Sequence, residues 1–237
     1  MGASKLKKSF KFICIYCTIS LVLLSTILPL ILSNNKAFSA TDNPLKGKII
    51  LIDPGHGGID GGTSSGNILE KSINLEASLI LKTELINRGA KVIMTRDKDT
   101  SLENLCKDND YRHRRDLKAR VNMINNYNID AYISIHVNAV NNAPYVKGPM
   151  VFYSNTNINS KTLASYVQDS LNALAGTNRN PNVADYFLLT NAKKTGILVE
   201  LGFITNNDDK NLLVKKDYLK KLSTGIVIGL EKYFKNK

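Results

Sequence analysis

Beyond residue 47 the chain switches repeatedly between two hydrophobic periods. Short strand-like runs occupy 48–52, 91–95, 131–137, 149–153, 186–189 and 197–201, while helical spacing covers roughly 68–87, 112–126, 159–174 and 217–234. Strands alternating with helical stretches predict a single α/β domain with a mixed, mostly parallel central sheet flanked by helices. The first helix is the best marked: Ile73, Ala77, Ile80, Leu81 and Leu85 recur at helical spacing, and Gly89 closes it. At its start Asn67 and Glu70 stand three apart, close to a capping box. The segment 97–111 is a polar excursion, and 138–148 reads as a loop containing Pro144 and Gly148.

The first forty residues follow another pattern. Lys5, Lys7, Lys8 and Lys11 precede an almost wholly apolar stretch over 12–32, and the small residues around Ala37-Phe38-Ser39-Ala40 follow. Basic start, apolar run and small-residue end make an export signal. The apolar run is also long enough to span a bilayer, so residues 1–40 are expected to be a signal peptide or a membrane anchor. Either way 41–237 is expected to be the one folded domain, with membrane contact only through the N-terminal segment.

Charge and cysteines narrow the function. The net charge is +12, and the five lysines of residues 1–40, with no acid among them, leave +7 for the rest. That balance suits an anionic polymer or surface. Nucleic acid is not expected, since there is no interleaved aromatic and basic motif and the chain carries an export signal. Cys14 and Cys17 lie in the apolar stretch and Cys106 is the only cysteine beyond it, so 41–237 can form no internal disulfide. Arg112, His113, Arg114, Arg115 and Lys118 cluster on a predicted helix. Such a cluster is ordinarily a solvated face, the alternative being contact with acidic glycan or peptide. His113 belongs to it and is a poor metal candidate.

Four residues carry candidate chemistry. His56 follows the apolar strand 48–52 and the stop Asp53-Pro54-Gly55, which places it past the strand's carboxyl end, where open α/β sheets gather ligands. A plain loop histidine is the competing reading. The surrounding glycines match neither dinucleotide nor P-loop spacing. Glu70 is either a helix-capping acid or a ligand. His136 shares one face of the strand 131–137 with Ser134 and Asn138, opposite Ile133, Ile135 and Val137. A strand buried on both sides would be apolar on both faces, so polar residues bunched at its end point to a site. A hydrogen-bonded core histidine is the alternative. Glu200 interrupts Ile197-Leu198-Val199 and Leu201. A carboxylate there needs a cation, an arginine or a metal-bound water beside it, unless the strand is an edge and Glu200 faces solvent.

The blocks LIDPGHGGIDGG, SIHVNA and VELGFITN, in that order, resemble the zinc-dependent N-acetylmuramoyl-L-alanine amidases that trim bacterial peptidoglycan. The resemblance spans 47–235. It is strongest to the sporulation members of endospore formers, through RHRRDLKARVNMIN and KKTGILVELGFITN. One departure is visible: Thr195-Gly196 stands where family members commonly have Pro before the last strand. The resemblance implies that His56, Glu70 and His136 bind Zn²⁺ and that Glu200 is the catalytic acid–base. Asn138 is a substrate-binding candidate.

The substrate implied is peptidoglycan, cut between N-acetylmuramic acid and L-alanine. In spore cortex this is the first step towards the muramic-δ-lactam that germination enzymes recognise. The stretch from His136 to Glu200 is too compact for an inhibitory helical insert, and no wall-targeting module is seen. Localisation, expected in the forespore intermembrane space, and control then fall to the N-terminal segment, expression timing or an accessory activator protein. A vegetative autolysin acting in daughter-cell separation, a different wall-directed zinc hydrolase and a non-catalytic wall-binding protein are the rival readings.

Overall fold

In the computed structural model, residues 43–237 are described, and they form one compact unit. The expected signal or anchor lies outside them. Six strands make the main sheet in the order β4 (Lys91–Met94), β1 (Ile49–Pro54), β5 (Ala131–Asn138), β8 (Gly196–Phe203), β6 (Met150–Tyr153), β7 (Asn182–Val183). The first four run parallel, whereas β6 lies antiparallel to β8 and β7 parallel to β6. The sheet is therefore mixed and mostly parallel, as the sequence predicts. A short antiparallel ribbon, β2 (Ser64–Ser65) and β3 (Ile68–Leu69), stands apart from it.

Strand periodicity divides the core. Ile50, Ile52, Ile133, Ile135, Ile197, Val199 and Leu201 face one side, where three long helices cover them: α1 (Glu70–Asn87), α3 (Ile158–Ala175) and α6 (Lys216–Lys235). Leu81 and Leu85 of α1, Val167 and Leu171 of α3, and Ile226 and Leu230 of α6 are all but inaccessible to solvent there. Burying a side chain of this size contributes roughly 1.5–3 kcal/mol. The crossing of α3 and α6 is close because residue 229 is glycine: a Cβ there would lie 2.5 Å from the Val167 Cα.

The opposite side is covered by α2 (Arg112–Asn126) and the short α4 (Phe187–Asn191), with Leu51, Ile124, Tyr132, Leu188 and Leu198 between them. This side is apolar only towards the amino ends of the strands. Towards the carboxyl ends its rows turn polar: Asp53 pairs in register with Ser134, and His136 with Glu200. Between His136 and Asn138 the β5–β8 register shifts, so Asn138 faces Phe203. The short α5 (Asn207–Leu213) follows β8, with the Asn206 side chain capping it by accepting from the Asp209 amide.

Two expectations are corrected. The run 186–189 is not a strand: Phe187–Asn191 is a helical turn that buries Leu188 and Leu189 against the sheet. A short apolar run fits either element, and only packing decides. The capping box at Asn67 is absent. The first helix begins at Glu70, its N-cap is Leu69 without a side-chain cap, and 68–69 pair instead with 64–65. Glu70 is thereby released from capping duty.

Candidate active site

Each sequence-predicted residue arrives at the carboxyl end of the parallel strands, and by a different route. His56 sits just past β1 with φ +60°, the left-handed region that non-glycine residues rarely occupy. Two buried arginines hold this strained corner. Arg120 Nη1 donates to the Pro54 carbonyl at 2.8 Å and Nη2 to the His56 carbonyl at 2.7 Å. Arg96 donates to the Pro54 and Gly55 carbonyls at 2.9 and 2.8 Å. The corner also requires Gly55: a Cβ there would lie 2.2–2.6 Å from the His136 ring.

Arg120 has its own counter-ions. Asp53 accepts from Arg120 Nη1 at 2.7 Å, Thr95 Oγ1 at 2.6 Å and Ser134 Oγ at 2.7 Å, and Asp116 accepts from Arg120 Nε at 2.6 Å. Burial would raise the Asp53 carboxyl, but the Arg120 charge and the two hydroxyl donors outweigh it and hold the group below the ordinary carboxylate range. The pair is buried, yet its hydrogen bonds are met.

Glu70 is the centre of the cluster. Its Oε1 lies 3.2 Å from His56 Nε2 and 3.0 Å from His136 Nδ1, and it accepts from the Val137 amide at 3.1 Å and Asn74 Nδ2 at 3.1 Å. Its Oε2 accepts from the Thr63 amide at 2.9 Å. Burial opposes its charge, but bonds to both histidines push the pKa far below normal. For His56, burial favours the neutral ring, whereas Glu70 and Asp60 raise the pKa to about 9. The far nitrogen of His56, Nδ1, lies 2.9 Å from Asp60 Oδ2.

This donor set fits a metal ion. One atom from each of His56, Glu70 and His136 lies within 4.8 Å of the other two. A tetrahedral centre with bonds near 2.0–2.1 Å separates its ligand atoms by about 3.3 Å. The two imidazole–carboxylate distances, 3.2 and 3.0 Å, are close to that already.

Glu200 faces the cluster from the neighbouring strand. It is 7% exposed, on a strand buried along its whole length, and its Oε2 has no hydrogen-bond partner among the described residues. Burial, with the Glu70 charge adding to it, pushes the carboxyl up to about 8, while His56 pulls the other way. The edge-strand reading of this residue is excluded, since β8 lies between β5 and β6.

A cavity of about 370 Å³ opens over these groups. Asn138 lines it, its Oδ1 accepting from the Ala139 amide at 2.7 Å. The far wall is formed by Leu117, Tyr186, Phe187 and Leu188, with the Arg114 guanidinium 4.0 Å above the Phe187 ring. His113 is at the rim, its Nδ1 3.5 Å from Asp60 Oδ2 and outside the His56–Glu70–His136 triangle.

The sequence reading missed Asp60, Arg96, Arg120 and Tyr186. Asp60 offered a signal, since it falls four residues after His56 within the block already singled out. Arg120 offered a weaker one, spaced i, i+4 from both Asp116 and Ile124 on the inward face of α2. Nothing local marks Arg96 or Tyr186.

An α/β sheet whose carboxyl end sets a His–Glu–His triangle, a donor set that fits a metal ion, against a buried glutamate has the arrangement of a hydrolase. The comparisons make the class specific. The family model described as N-acetylmuramoyl-L-alanine amidase matches residues 50–232. The germination-specific N-acetylmuramoyl-L-alanine amidase of Bacillus subtilis (strain 168) is 38% identical over 208 residues, which cover 86% of this chain and 87% of that protein. N-acetylmuramoyl-L-alanine amidase LytC of the same organism is 32% identical over 205 residues, 85% of this chain but 38% of its own length. Among solved structures, the CwlD amidase from Clostridioides difficile in complex with the GerS lipoprotein superposes with a TM-score of 0.74 at 34% identity, covering 81% of this chain and 100% of that one. The chain belongs to the N-acetylmuramoyl-L-alanine amidase family.

Proposed function

We propose that the chain hydrolyses the amide between N-acetylmuramic acid and L-alanine in peptidoglycan, with His56, Glu70 and His136 as zinc ligands and Glu200 as the catalytic acid–base. The observation that carries this reading is the Glu200 carboxyl, buried beside the triangle with one oxygen that has no partner among the described residues. A buried carboxyl with nothing to bond is costly unless a reacting molecule completes it. Zinc, when bound, supplies Lewis-acid polarisation and positive charge for a developing oxyanion.

The protein's own groups then account for proton transfer and positioning. The Glu200 carboxylate accepts a proton from the attacking water and returns it to the departing L-alanine nitrogen. Burial and the Glu70 charge lift its pKa to about 8 without a cation, and a dication bound beside it lowers the pKa again, towards the ionised form a base requires. Asn138 lines the cavity where the glycan and peptide enter and is proposed to hold substrate. The apolar wall of Leu117, Phe187 and Leu188 limits water around the reacting bond.

The biological setting proposed is germination, by removal of stem peptides from spore cortex on the way to muramic-δ-lactam. Similarity to the germination-specific relative supports it. The solved neighbour carries a lipoprotein partner, which supports an accessory protein here as well. Action outside the cytoplasm, in the forespore intermembrane space, accords with the export signal read from residues 1–40. Purified cortex and vegetative peptidoglycan, digested with and without added zinc and analysed by mass spectrometry, test the assignment. Free stem peptides starting at L-alanine are expected. Peptides trimmed only at their carboxyl end, or deacetylated glycan, would replace the amidase with another wall hydrolase.

A further inference from the structure

We infer that Asp60 is the positioning residue of the metal site, aiming His56 by gripping its far ring nitrogen. The inference rests on the reading of His56, Glu70 and His136 as that site. Asp60 is itself held before it touches the histidine. Its backbone exchanges two hydrogen bonds with Gly57, at 2.9 and 3.1 Å, and its Oδ1 accepts from the Gly62 amide at 3.1 Å. Oδ2 lies 2.9 Å from His56 Nδ1, with the exposed His113 Nδ1 further off at 3.5 Å. A carboxylate can only accept, so Nδ1 carries the hydrogen and Nε2 is the nitrogen directed at Glu70, 3.2 Å away.

The need for such a grip follows from the backbone. His56 stands at φ +60° on a loop corner, and the arginines that brace this corner bond to carbonyls, not to the ring. The other two proposed ligands are secured differently. His136 rises from the middle of the sheet, and Glu70 is fastened by the Thr63, Val137 and Asn74 donors. His56 is the ligand whose side chain has no comparable scaffold, and Asp60 supplies it. Carboxylate partners of ligating histidines fix ring orientation and raise basicity, and their loss typically lowers metal affinity 10–100-fold.

The test is zinc affinity, measured by chelator competition on the exported domain of Asp60→Ala and Asp60→Asn, alongside His136→Ala. Asp60→Ala should bind zinc about 10–100-fold more weakly. Asp60→Asn keeps an oxygen that can accept from Nδ1 and should recover most of the loss. The unfolding midpoint of the metal-free protein should fall in Asp60→Ala, which loses the bonds to the Gly62 amide and to His56, and fall less in Asp60→Asn. Asp60→Ala with affinity within about twofold of the parent overturns the proposal, as does an Asn variant no better than Ala. If His136→Ala also leaves zinc binding intact, it is the site assignment that fails; if His136→Ala alone abolishes binding, only the role of Asp60 does.

Discussion

Replacing Arg120 by methionine keeps most of the side chain's length and removes its charge. In the folded protein the loss falls on several partners at once. Asp53 keeps the Thr95 and Ser134 hydroxyls but loses its counter-ion; the His56 carbonyl loses its Arg120 donor; Asp116 Oδ2 loses the Nε bond while Oδ1 keeps the Leu102 amide. The Pro54 carbonyl is protected, because Arg96 Nε also reaches it. Removing one member of a buried ion pair typically costs about 3–5 kcal/mol. With m near 2–3 kcal/mol/M for a domain of this size, the urea midpoint should drop by about 1–2 M.

The pH dependence gives the sharper check. In the parent, Asp53 has a folded pKa below its unfolded value, so its contribution is complete above about pH 4 and is lost as pH falls through the folded value. Without Arg120 the burial effect is opposed only by the Thr95 and Ser134 hydroxyls and the charges of Arg96 and His136, so the folded pKa rises. The stability that ionised Asp53 contributes is reduced accordingly, fully above the variant's folded pKa and progressively less as pH falls through it. The deficit against the parent should therefore be largest near pH 7 and shrink towards pH 4. Urea titrations of both metal-free proteins across that range measure it. A deficit under about 1 kcal/mol at pH 7, or one independent of pH, refutes the reasoning.

Glu200→Gln should keep stoichiometric zinc while turnover on peptidoglycan falls at least 10²–10⁴-fold, the usual span for a general acid–base group; activity within a few-fold of the parent removes Glu200 from the mechanism. His136→Ala should leave secondary structure intact by circular dichroism while bound zinc drops well below one per chain. Deleting the gene in its native host should leave growth and division near normal but yield spores whose cortex lacks muramic-δ-lactam and which do not complete germination. Unseparated chains with normal lactam would point to a vegetative autolysin instead.

Much of this protein could be read from its residues taken in order. Periodicity located five of the six main-sheet strands and all four long helices, because alternation and 3.6-residue spacing are local records of which face is buried. The His56, His136 and Glu200 blocks were legible for a related reason: each sets a polar group where a buried strand or its end should be apolar. Glu70 was not settled that way. Local sequence favoured a capping role, and only the pairing of 68–69 with 64–65 moved the helix start and freed the carboxylate for the two histidines. The short runs stayed ambiguous as well. Phe187–Asn191 became a helix because Leu188 and Leu189 pack beneath it, and the two-residue β7 exists only through β6. The arginine clamp lay furthest from view. Arg96 and Arg120 come from separate parts of the chain, and only Arg120, four residues from both Asp116 and Ile124, carries a local sign of an inward position. They converge because the carbonyls of a strained left-handed corner, buried away from water, must find donors. Sequence determines which faces are apolar and which groups can do chemistry; the requirement that every buried polar group be partnered across the fold decides which of them meet.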